Sequence, residues 1–105
     1  MKIYEVEERD SALVGELLDV WESSVRATHL FLSDAEVKRI KEYVPRALGG
    51  VEHLVVAETE KPIAFMGVQD GRLEMLFVAA GERGRGAGKQ LLQHGFQTYG
   101  IREVT

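Results

Sequence analysis

The stretch LFVAAGERGRGAGKQLLQHG, residues 76–95, passes from an apolar run through alternating glycines into a helical pattern. Leu76, Phe77 and Val78 read as strand, Gly84, Gly86 and Gly88 stand one residue apart, and Leu91, Leu92, Phe96 and Tyr99 recur at helical spacing. A strand that ends in a glycine-rich loop and enters a helix aims several backbone N–H groups in one direction, where the helix dipole adds positive character. Glycine reaches positive φ and carries no Cβ, so successive N–H groups can form a concave anion nest. Arg83, Arg85 and Lys89 surround it, against the single acid Glu82. The natural guest is a phosphate or pyrophosphate. A flexible turn with a solvated basic rim is the plainer reading of the same glycines.

Spacing excludes the commoner phosphate motifs. A Walker loop needs four residues between its glycines and a Lys-Ser/Thr pair, whereas Lys89 is followed by Gln90. The dinucleotide pattern G-x-G-x-x-G fails because the glycines alternate, although Glu103 stands near the distance at which that motif wants an acid. An RNA-binding Arg-Gly tract is disfavoured too, since the run is short and has no flanking aromatics for stacking.

Upstream, KIYEV reads as a short strand, and Asp10 or Ser11 can cap a helix whose apolar stripe is Leu13, Val14, Leu17, Leu18, Trp21 and Val25. Ser33 and Glu36 make a capping box for a second helix with Val37, Ile40 and Val44 as its stripe, which Pro45 kinks or ends before Gly49 and Gly50. Three β-type runs follow, turned at Lys61-Pro62 and at Asp70-Gly71. Gly100 stands where a helix C-cap glycine belongs, and IREVT begins another strand. The order is β-α-α-β-β-β-α-β, an α/β domain with a mixed sheet flanked by helices.

At 105 residues the chain is one domain, able to bury roughly 65% of its unfolded surface. A net charge of −4 argues against general nucleic-acid binding, which needs surplus Lys and Arg. The absence of cysteine removes disulfides and thiolate metal sites, and no metal is expected. No apolar run reaches the roughly 18 residues of a membrane span, and MKIYEVEERD is too acidic for a targeting peptide, so a cytoplasmic protein without membrane contact is expected.

The stretch 76–95 resembles the acyl-CoA-binding segment of the GNAT superfamily of N-acetyltransferases, whose pattern Q/R-x-x-G-x-G/A after an apolar strand is met by Arg83, Gly86 and Gly88. The order of elements over the whole chain fits that family, and VWESSVRATHLFLS is further similar to its YjaB-type bacterial members. The resemblance implies acetyl transfer from acetyl-CoA, as cosubstrate, to an amine. It places the pyrophosphate on Arg83, Gly84, Arg85, Gly86, Ala87, Gly88 and Lys89, and the pantetheine arm along Leu76, Phe77 and Val78. It also divides the domain into an acceptor side, residues 1–50, and a sheet with its acyl-CoA loop and helix, residues 51–105. A non-catalytic module binding acyl-CoA or another phosphorylated ligand is the alternative.

Such chemistry needs orientation of the thioester, a donor to its carbonyl and a base for the amine. Many family members carry a Glu six residues before the position of Val78; here that residue is Arg72. Glu74, two residues along the same strand, is the candidate base, directly or through a water; a solvent-facing carboxylate is its plainer reading. His29, between the first two helices, is a candidate lining of the amine pocket or a simple polar helix terminus. His53 and His94 read as surface residues. The family's Tyr general acid lies in a helix after the fifth strand and its CoA-supporting Asn at the end of that strand, and Tyr99 is no substitute by position. The domain is therefore expected to be C-terminally incomplete, as a shortened chain, a fragmentary gene product, or a chain completed by a partner, including a second copy in a homodimer.

Overall fold

The computed structural model describes residues 1–28 and 31–104. A five-stranded mixed sheet has helices on both faces. In chain order the strands are β1 (Lys2–Glu5), β2 (His53–Glu58), β3 (Pro62–Gln69), β4 (Arg72–Val78) and β5 (Glu103–Val104). They lie in that same order across the sheet, antiparallel except for the parallel pair β4–β5. Helices α1 (Ser11–Thr28), α2 (Asp34–Lys41) and α3 (Val44–Gly50) precede β2, and α4 (Ala87–Tyr99) crosses over between β4 and β5.

Local chemistry explains most boundaries. Asp10 caps α1, its carboxylate accepting from the Leu13 N–H at 2.9 Å. The capping box of α2 is complete: the Ser33 hydroxyl accepts from the Glu36 N–H, and the Glu36 carboxylate from the Ser33 N–H. Asp70 and Gly71 both take positive φ, 51° and 71°, the geometry that lets a two-residue hairpin follow the strand twist. Pro62 opens β3, and Gly100 ends α4 in the left-handed region at φ 61°. Among the described residues no helix is long and apolar enough to cross a membrane.

The structure adds a helix to the expected order. Pro45 does not merely terminate α2; it sits in the first turn of α3, where its missing N–H has no partner to lose. Because α2 stops at Lys41, Ile40 is more than one-third exposed, while Val37 and Val44 enter the core from two different helices. Arg9 holds the junction after α3, donating to the carbonyls of Leu48, Val51 and Glu52 at 2.9, 2.5 and 3.1 Å.

Each sheet face has its own core. Leu17, Trp21, Val25, Leu48, Leu54 and Phe65 pack on the α1–α3 face, and Val55, Ile63, Met66, Val68 and Leu91 on the α4 face. The alternation is broken once on β4. Leu73 pairs with Val68 and Met75 with Gly67, so Glu74 is an extra residue without a partner on β3. Leu73 consequently faces α4, whereas Met75 and Phe77 face α1.

Ion pairs join α1 to α2. Glu22 accepts from Arg26 at 2.7 Å and from Lys41 at 2.5 Å, and Arg26 reaches Asp34 at 2.7 Å. Lys41, then Arg26, hold the Glu22 carboxyl below its ordinary value of 4.5. A depressed carboxyl stabilises the fold at pH above that ordinary value and loses the effect as pH falls through the folded value. Glu22→Gln should therefore lower the Tm near neutral pH, with the difference from wild type closing in thermal melts carried from about pH 7 to about pH 2. A difference independent of pH would exclude the ion pairs as its cause.

Candidate functional site

The loop from β4 to α4 is built in three steps. The Ala79 N–H donates to the Ile63 carbonyl at 2.9 Å, closing the β3–β4 ladder. A single 3-10 turn, Ala80–Glu82, follows, and Arg83 is extended at φ −69°, ψ 149°. Gly84 and Gly86 then take φ of 84° and 82°, and Gly86 is the N-cap of α4 with no side chain capping the helix. The first N–H groups of α4 have no intrahelical acceptor and carry the positive end of its dipole.

The three glycines differ in what they permit. Gly84 and Gly86 adopt a backbone that L side chains rarely take, yet a Cβ at either would meet nothing within 4 Å. The chain itself does not crowd them, so the space over the loop is open. Gly88 has an ordinary helical φ, and a Cβ there would lie 3.6 Å from Val78 Cγ2, a normal contact. Ala87 is buried beside it and seats the helix start on the α4-side core. The loop thus offers bare backbone at an uncapped helix N-terminus, a geometry suited to an anion.

The cations assigned to the loop do not all face the same way. Arg83 Nη2 donates to the Ser24 carbonyl near the end of α1, at 3.3 Å. Arg85 Nη1 lies 3.4 Å from Glu82 Oε2, an oxygen shielded from solvent that accepts no hydrogen bond. Lys89 is exposed in the first turn of α4 and forms no ion pair among the described residues.

Leu76, Phe77 and Val78 pair with Met66, Phe65 and Ala64 of β3 on one side. On the other, among the described residues, β5 pairs with Arg72 and Leu73. Beyond Leu73 that edge has no strand neighbour among the described residues, and Met75 to Val78 are only half-buried. Glu74 stands at this parting, exposed, with its carboxylate 3.6 Å from Arg72 Nη1, and Arg72 Nε bonds Glu103 on β5 at 3.1 Å. The structure therefore brings Glu74, the open edge and the glycine loop onto one strand and its exit. His29 lies outside the described residues.

Sequence reasoning missed a second cluster. His53 and His94 are not simple surface residues. Glu5 accepts from the Tyr99 hydroxyl at 2.5 Å and contacts His53 Nδ1 at 2.9 Å. The His53 ring stacks on Tyr99 at 4.1 Å, and His94 meets the same ring edge-on. The Tyr99 hydroxyl, then His53, hold the Glu5 carboxyl below its usual range, while burial, then Glu5, push the Tyr99 phenol up. The cluster ties the C-terminal end of α4 to β1 and β2, at the far end of that helix from the glycine loop. Its members lie 48 and 94 residues apart, beyond any local signal.

A groove of about 290 Å³ runs beside the exit of β4, between α1 and the β2–β3 turn, with Asp19, Ser23, Lys61, Pro62 and Ala79 in its walls. Among the described residues no group of His, Asp or Glu is arranged to hold a metal ion.

Comparison with known proteins agrees with the fold. No family model matches the chain. The peptidyl-lysine N-acetyltransferase YjaB of Salmonella typhimurium is 35% identical over 79 residues, covering 74% of this chain and 54% of that protein. The chain thus spans about half the length of the curated relatives it matches. The solution structure of apo YjaB from Escherichia coli superposes with a TM-score of 0.77 at 31% identity, over 92% of this chain and 66% of that one. A GNAT family acetyltransferase from Brucella melitensis, solved with acetyl-CoA, shares the fold with a TM-score of 0.65 at 19% identity, over 98% and 73%.

The unlike glycines can be separated by substitution. Gly86→Ala should cost about 1 kcal/mol through its left-handed backbone, whereas Gly88→Ala should be neutral or gain up to about 1 kcal/mol from helix propensity. Urea unfolding of the two variants checks this, and equal effects would remove the distinction.

Proposed function

Because the chain belongs to the GNAT superfamily of acetyltransferases, we propose that it binds acetyl-CoA and transfers the acetyl group to an amine. The acceptor class is a protein lysine, the group named for its YjaB relatives. The observation that carries this reading is the pair Gly84 and Gly86, left-handed and uncrowded, at the uncapped start of α4 beside the open edge of β4.

In this reading the N–H groups at the start of α4, from Ala87 to Lys89, receive the pyrophosphate, with Arg85 and Lys89 supplying charge at its rim. The open edge of β4 at Leu76, Phe77 and Val78 offers main-chain groups to the amides of the pantetheine arm, as an added strand would use them. Acetyl-CoA brings an already activated thioester. What remains for the chain is to orient that group, donate to its carbonyl from the backbone near Phe77 or Val78, and accept the amine proton. Glu74 is the proposed acceptor of that proton, directly or through a water. The bulge sets it off the β3 ladder where β4 and β5 part, and Arg72 steadies its carboxylate. Residues 1–50 supply the acceptor side and residues 51–105 the acyl-CoA side, with the cytoplasm as the place of work.

Calorimetric titration with acetyl-CoA tests the binding half. Wild type is expected to bind one equivalent, and Gly86→Val, its fold checked by circular dichroism, to bind at least about tenfold more weakly. Unchanged affinity in Gly86→Val would overturn the nest.

Glu74→Gln tests the proton-transfer half. Thiol release on a lysine peptide should fall about a hundredfold while the acetyl-CoA Kd stays put. Equal rates would remove Glu74 from the mechanism.

A further inference from the structure

The Ser24 carbonyl, near the C-terminal end of α1, is a shared acceptor. It takes the Thr28 hydroxyl at 2.8 Å and Arg83 Nη2 at 3.3 Å. Ser24 is itself buried, at 7% exposure. On the adjacent residue, the Ser23 hydroxyl accepts from the Ala80 N–H at 2.9 Å. Two neighbouring residues of α1 thus hold both ends of the 3-10 turn that leads into the glycine loop. Ser24 lies one turn before the end of α1, where the negative end of the helix dipole favours a cation.

We propose that Arg83 is a positioning residue, its guanidinium fastening the acyl loop to the end of α1 so that acetyl-CoA bound at the loop steadies the acceptor side of the fold. The proposal rests on the reading of the glycine loop as the acyl-CoA site. It assigns the Arg83 side chain to the protein and leaves the phosphates to the α4 N–H groups, Arg85 and Lys89. The route onward from Ser24 is continuous. Arg26, two residues later, pairs with Asp34 in the first turn of α2, and Glu22 pairs with Lys41 in its last. Order imposed at residues 80–83 therefore reaches α2 through side chains and α1, with the ties made by Ser23 and Ser24.

Hydrogen exchange and calorimetry on wild type, Arg83→Leu and Arg83→Lys decide the matter. In the ligand-free proteins, amides of residues 24–28 should exchange several-fold faster in Arg83→Leu than in wild type, and Arg83→Lys should restore protection. With acetyl-CoA, wild type should gain protection at 24–28 and 31–34. Arg83→Leu should lose that gain, keep its Kd within about threefold, and show a raised acceptor KM without a raised acetyl-CoA KM. Unchanged exchange at 24–28 in ligand-free Arg83→Leu would overturn the tie, and a larger loss of acetyl-CoA affinity would make Arg83 a phosphate clamp instead. If wild type binds no acetyl-CoA, the acetyltransferase reading fails, while the ligand-free exchange still decides whether Arg83 fastens the loop to α1.

Discussion

Strand β4 is held by β3 from end to end apart from the bulged Glu74, and among the described residues by β5 at Arg72 and Leu73. Much of the candidate site depends on this unequal pairing. The Arg72–Glu103 and Leu73–Val104 rungs fix the root of the opening, and from Glu74 to Val78 that edge of β4 meets no strand among the described residues. Backbone polar groups require partners, whether water or ligand. Met75 to Val78 are half-buried. The bulge at Glu74 lies at the point of divergence and reverses which core each following side chain enters.

What the sequence revealed was what local chemistry determines. The Asp70-Gly71 hairpin, the Ser33/Glu36 capping box, the C-cap Gly100 and the strand–glycine–helix passage each depend on residues within a few positions of one another. The bulge was not legible, because Leu73, Met75 and Phe77 alternate as a regular strand would, and only the pairing of Gly67 with Met75 exposes the extra residue. A Cβ on Gly67 would lie 2.7 Å from Met75 Cγ, so that glycine belongs to the bulge, a role evident only once both strands are in place. In the sequence Pro45 reads as a kink or end, yet in the fold it begins a helix, since the rule that bars proline from helix interiors also favours it in the first turn. The Glu5–His53–Tyr99 cluster joins three elements and leaves no trace in any one of them.

Helix α4 is fixed at both ends by unlike means. At its start Gly86 sets the approach and buried Ala87 seats the first turn. At its end Tyr99 bonds to Glu5 and stacks on His53 before Gly100 turns the chain toward β5. Gly95, between them, allows close packing, since a Cβ there would come within 2.5 Å of Ile101 Cδ1 and 3.2 Å of Met66 Cε. A helix pinned in this way holds its N-terminal N–H groups in a fixed direction. That matters more to an anion site than the number of nearby cations, because preorganised dipoles need no reorientation when a ligand arrives.

Charge follows the same logic at larger scale. The chain carries a net charge of −4, yet Arg83, Arg85 and Lys89 gather around one loop against Glu82. Counting them as a single positive patch overstates what a ligand would meet. Arg83 is drawn to a helix C-terminus and Arg85 to a neighbouring acid, so Lys89 and the backbone present the most accessible positive character. A site organised by backbone dipoles with few available cations selects its ligand by shape and by the spacing of its acceptors, with attraction at long range playing the smaller part. The same division explains why Gly84 and Gly86, which carry no charge, are the residues on which the functional reading rests.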